Sequence, residues 1–193
     1  MLRRFVIVLA LAGAFAPSAL ARGGNYVFDG GTRAEQAQVR AALAASSFDW
    51  GLVPGRVVIH VGRVGGSYAT AGHIWLDAGL LDGGRFAWGV VQHEYAHQVD
   101  FAVLTTTQRS QLHTLLGGDS WWGSEHSSAD CERFADALAW AYWQSPDNVM
   151  RPQSASDEGG QVAPAAFRAA LDAILQPVRV LAAAKGTKHP RNG

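Results

Sequence analysis

Two histidines four residues apart, with a glutamate directly after the first, are the residues of this chain whose types and spacing could do chemistry: His93-Glu94-Tyr95-Ala96-His97. In a helix, side chains four apart share one face with Cβ atoms about 5–6 Å apart, so His93 and His97 can aim two imidazoles at one metal ion. Zinc suits such a pair. Glu94 is turned about 100° round the axis, which puts it beside the metal as a general base for a water. The bland alternative is a surface helix on which the pattern falls by chance. Against it stands the apolar character of the segment. Phe86, Val90, Val91, Val99 and Phe101 predict a mostly buried helix over residues 86–101, its polar face looking into a cleft. Buried imidazoles and carboxylates need partners, and a metal is one.

A hydrolytic zinc site uses three protein side chains and keeps a position for water, so a third ligand must come from elsewhere in the chain. A metzincin would carry a glycine three residues after His97 and a third histidine six residues after it. Those positions hold Asp100 and Val103, which excludes that class. Glu132 is the preferred ligand because it lies on a separate amphipathic helix, with Asp136 one turn later to hydrogen-bond the outer nitrogen of a ligating histidine. Glu125, His126 and Asp130 are the other choices. Asp100, one turn after His97, would hold the end of the site helix or orient a ligand.

Together, His93-Glu94-x-x-His97-x-Val99-Asp100 and Glu132-x-Phe134-Ala135-Asp136 resemble the gluzincin metallopeptidases, and among them the catalytic domain of anthrax lethal factor and its relatives. The likeness runs from Val90 to Trp143. It implies zinc held by His93, His97 and Glu132, with Asp136 and Asp100 as the acidic residues behind the ligands. It also implies hydrolysis of a peptide or protein substrate. In those relatives a tyrosine just upstream of the third ligand donates to the transition state; here Glu125-His126 stands in its place. His126, on the loop entering the third-ligand helix, is the expected oxyanion donor, with Tyr68 in a glycine-rich loop as the second choice.

The elements that must position these groups follow from periodicity and caps. Thr32 and Glu35 form a capping box for a helix to about residue 45, and residues 57–61 read as the best strand. A second strand at residues 73–77 is the expected edge strand of the cleft, open to an extended substrate. Helices are predicted at residues 106–116, from Ser127 or Ser128 through Trp143, and at 164–175. The fold class expected is α+β: a zincin-like single domain with a small N-terminal sheet, an active-site helix and a third-ligand helix. His60 and His73 read as ordinary strand histidines and Cys131 as a small buried filler. Trp121 and Trp122 read as core anchors or cleft walls.

Residues 1–21 have a basic start at Arg3 and Arg4, an apolar run and Ala19-Leu20-Ala21, the pattern of an export signal peptide. The metallopeptidase domain is expected over residues 22–181 and a disordered tail over 182–193. The protein is therefore expected outside the cytoplasm, secreted or in the cell envelope, with no membrane association after processing. Without Arg3 and Arg4 the chain has 14 basic and 16 acidic residues, which recommends no nucleic-acid partner. Two rival functions share the motif: a non-catalytic zinc-binding domain, and a zinc hydrolase of another amide such as a cell-wall crosslink.

Overall fold

The computed structural model describes residues 23–122 and 129–186. The expected signal peptide, Glu125 and His126 lie outside the described residues. Four strands form one mixed sheet: β1 (Tyr26–Gly30), β2 (Val57–Gly62), β3 (Tyr68–Thr70) and β4 (His73–Asp77), in the order β1-β2-β4-β3. β1, β2 and β4 are parallel, and β3 runs antiparallel to β4. A parallel neighbour requires a crossover, and helix α1 (Arg33–Ala45) makes the one from β1 to β2. Its capping box is present, with Thr32 and Glu35 bonding each other's backbone N–H. Along β2, Val57, Ile59 and Val61 face the core while Val58 and His60 face outward, the alternation of a sheet covered on one side.

The strand at the cleft is not the one expected. β4 is interior, paired on both sides, and the edge is the three-residue β3. Three residues between glycines are too short to show an alternation, and Gly72 at φ +80 supplies the tight return into β4.

After the short helix α2 (Ala78–Leu81) and a helical turn at Gly84–Ala87, the motif lies on helix α3 (Trp88–Ala102). Every residue from Val91 to Asp100 is buried, so α3 is enclosed by the sheet and its neighbouring helices. Phe86, expected to help bury the segment, is instead exposed on the preceding turn. Gln92 Nε2 donates to the Ala42 carbonyl at 2.8 Å and ties α3 to α1.

Helix α4 (Thr106–Leu116) has a capping box of Thr105 with Gln108 and stops at Gly117, φ +71. Helix α5 (Asp130–Tyr142) packs along α3 and has Ala129 at its N-cap, with no side-chain capping bond; the expected caps Ser127 and Ser128 lie outside the described residues. Helix α6 (Pro164–Gly186) continues past the expected end and through Pro177, taking in residues 182–186 of the expected tail. Phe167, Leu171 and Leu175 bury one stripe of it, and Phe167 meets Phe134 of α5 at 6.0 Å. Val178, beyond the proline, still packs against the core, which holds the helix on its line.

Candidate metal centre

Helices α3 and α5 bring together the ligand candidates from two stretches of sequence. His93 Nε2 and His97 Nε2 lie 3.1 Å apart. Glu132 Oε2 lies 3.2 Å from the first and 3.3 Å from the second. Glu94 is buried beside them, and His93, Glu94 and His97 offer ligand atoms that all fall within 4.8 Å, a group that could hold a metal ion. On the far side of the His93 ring, Nδ1 is 2.7 Å from Asp136 Oδ1. Glu132 and Asp136, one turn apart on α5, therefore reach opposite nitrogens of the same imidazole.

This arrangement is built for positive charge. Burial disfavours the imidazolium of His93, yet Asp136 and Glu132 outweigh it and hold the ring up at about 10. Burial likewise opposes the Glu132 carboxylate, but His93 and His97 keep it well below the usual range. The same carboxylates would also attract a cation placed between the two rings.

Asp100 is placed differently. It is fully buried, accepting from Arg109 Nε at 2.7 Å and from Trp121 Nε1 at 3.0 Å. It thus fastens the end of α3 to α4 and to the loop after it. Asp130, a weaker ligand choice, bonds His113 and accepts from the Gly118 N–H at 2.8 Å. With the bridge between Ser120 and Ala129 and the bond from the Cys131 N–H to the Trp121 carbonyl, 3.1 Å, it pins both ends of the stretch 121–129.

A cleft of about 340 Å³ opens over these groups. Glu94, His97 and Glu132 line its floor, Phe101 and Trp122 one wall, and Tyr68 and Ala69 of β3 the other. Cys131 also borders it, but burial, Glu132 and Asp100 push its thiol up to about 12, so it stays protonated and is a poor nucleophile. A larger hollow of about 530 Å³ between α4 and α6, lined by residues such as Leu112, Leu115 and Ile174, carries no titratable side chain.

Tyr68 borders the cleft from β3. Ala69 packs toward the core, so Tyr68 points to the outer face of the sheet, where its ring stacks on Trp75 at 4.8 Å. The same outer face holds His60 and His73. His60 Nδ1 is 2.8 Å from Asp29, and its Nε2 is 3.0 Å from His73 Nδ1, an edge-to-edge contact between rings whose centroids are 5.3 Å apart. They are bonded to each other and are not among the residues lining the cleft.

Gln98, which sequence reasoning passed over, joins the motif helix to the edge strand. Its Oε1 accepts from the Gly72 N–H at 2.8 Å, and its Nε2 donates to the carbonyls of Thr70 at 2.9 Å and His73 at 3.2 Å. Gln98→Ala should cost about 0.5–1.5 kcal/mol, since partly buried backbone groups of the β3–β4 turn lose their side-chain partner and turn to water. Denaturant unfolding checks the loss, and unchanged metal content separates it from damage to the ligands.

Comparison with protein-family models, curated proteins and solved structures gives no match for this chain. Function therefore has to be read from the site itself.

Proposed function

We propose that this chain is an exported zinc-dependent peptidase of the gluzincin type on a zincin-like scaffold. The observation that carries the reading is the meeting of Glu132 from α5 with both imidazoles of α3, the three donor atoms being 3.1, 3.2 and 3.3 Å apart. A tetrahedral ion with bonds of about 2.0–2.1 Å keeps its donors about 3.3–3.4 Å apart, so this donor set and spacing suit zinc. Asp136 gives His93 the outer hydrogen bond that zinc-ligating histidines ordinarily have, and leaves Nε2 to face the metal.

Zinc, when bound, acts as a Lewis acid and lowers the pKa of its water toward about 7. Glu94, buried on the cleft floor, takes the proton of the attacking water and delivers it to the leaving amine. The outer edge of β3 offers backbone N–H and C=O groups to an extended peptide. His126, outside the described residues, remains the oxyanion donor of this reading. A non-catalytic zinc module would have no use for a carboxylate at position 94. Residues 1–21 support export, and no described helix is long and apolar enough to cross a membrane.

The test is to incubate the zinc-loaded protein with a peptide library and with purified cell wall. Peptide cleavage that a chelator abolishes and zinc restores is the expected result. Release of cell-wall fragments without peptide cleavage would move the activity to a crosslink amide. Stoichiometric zinc with neither reaction would overturn the hydrolase reading.

A further inference from the structure

The loop between α5 and α6 comes back to rest on α5 at the residue that orients His93. Gly159, buried and in the left-handed region at φ +70, sits against the Asp136–Ala137 peptide. A Cβ there would lie 3.0 Å from the Ala137 nitrogen and 3.1 Å from the Asp136 Cβ, inside the roughly 3.5–4.0 Å at which non-bonded carbons pack. The nearest atom is helix backbone, which cannot swing aside as a side chain can.

The loop is shaped before it reaches the helix. The Asp157 carboxylate accepts from the Ser154 N–H at 2.9 Å and from the Ser154 hydroxyl at 2.7 Å, and its carbonyl accepts from the Gly160 N–H at 2.9 Å and from Gln161 Nε2 at 2.6 Å. A Cβ at Gly160 would collide with the Ser154 carbonyl. The two glycines therefore differ in what they permit: Gly160 lets the loop close on itself, and Gly159 lets the closed loop meet α5.

Asp136 is thus held from two directions. Its Oδ1 lies 2.7 Å from His93 Nδ1, and Gly159 packs against the root of the same side chain. A shift of α5 or of that root passes directly into a short bond whose strength depends on its alignment.

We propose that Gly159 is a positioning residue of the candidate metal centre: it seats the loop 153–161 on α5 and so fixes the carboxylate that orients His93. This rests on the metal-binding part of the reading above.

The experiment measures zinc affinity of the full chain by competition with a chromophoric chelator, together with the melting temperature of the zinc-free protein. Gly159→Ala should bind zinc about 10-fold more weakly, at the lower end of the roughly 10–100-fold expected for Asp136→Ala. Two variants separate collision from backbone strain. Gly159→Asn carries the same Cβ on a residue that visits the left-handed region more readily, so it should lose as much zinc affinity as Gly159→Ala. Gly55→Ala puts similar strain at φ +80, where a Cβ meets nothing within 4 Å, so it should lower the melting temperature and leave zinc affinity unchanged. In the Asp136→Ala background Gly159→Ala should weaken zinc no further, because the carboxylate it positions is gone. Unchanged affinity in Gly159→Ala, or a full extra loss on top of Asp136→Ala, overturns the proposal. Normal affinity in Gly159→Asn, or a loss in Gly55→Ala, assigns the effect to strain or general destabilisation and overturns it too. Parent protein that binds no zinc defeats the metal reading itself, and the proposal with it.

Discussion

Glu94→Gln should lower kcat by about 10²–10⁴ while the protein keeps its metal, because the amide fills the same space but cannot take the proton of the attacking water. Glu94 is well placed for this role. It follows His93 by one residue on α3, is 5% exposed, and lies on the cleft floor with His97 and Glu132. Its ligand atom falls within 4.8 Å of those of both histidines, near enough to serve a water that a metal held by them would bind. The measurement is kcat on a cleavable peptide alongside elemental analysis of the same preparation. Full activity in the variant would put the base elsewhere; loss of metal along with activity would show Glu94 to be a ligand instead.

Glu132→Ala should all but abolish zinc binding, a larger effect than the roughly 10–100-fold weakening expected for Asp136→Ala. Glu132 touches Nε2 of both histidines, whereas Asp136 touches only the outer nitrogen of His93. Removing the first deletes one of three donors. Removing the second leaves the donors in place but lets one ring turn. A metal that binds only the folded state stabilises it, so the difference should also appear in thermal stability. Zinc should raise the melting temperature of the parent protein, raise that of Asp136→Ala at higher concentration, and leave Glu132→Ala unmoved. If Asp100→Ala strips the metal and Glu132→Ala does not, the third ligand has been misassigned.

What could be read from the sequence and what could not divide along physical lines. His93 and His97, like Glu132 and Asp136, are pairs four apart, and the helix repeat alone puts each pair on one face. The capping boxes at Thr32 and Thr105 are equally local. The features missed arise from pairings between elements, whether neighbouring or distant in the chain. β3 is three residues long and becomes an edge strand only through its pairing with β4. Gln98 matters because it meets the β3–β4 turn, and the outer-face pair of His60 and His73 depends on the register of two parallel strands. Pro177 is a strong local stop signal, but tertiary packing of the last helix against the core overrides it.

The pinning of the stretch 121–129 has a consequence for how such a protein can change. Ser120 and Ala129 are bridged, and Asp130 ties the start of the third-ligand helix to Gly118 and His113. The first turn of α5, which carries Glu132, is therefore held by α4 and the residues just after it, so a substitution at His113, Gly118 or Asp130 would reach the candidate ligand without touching it directly.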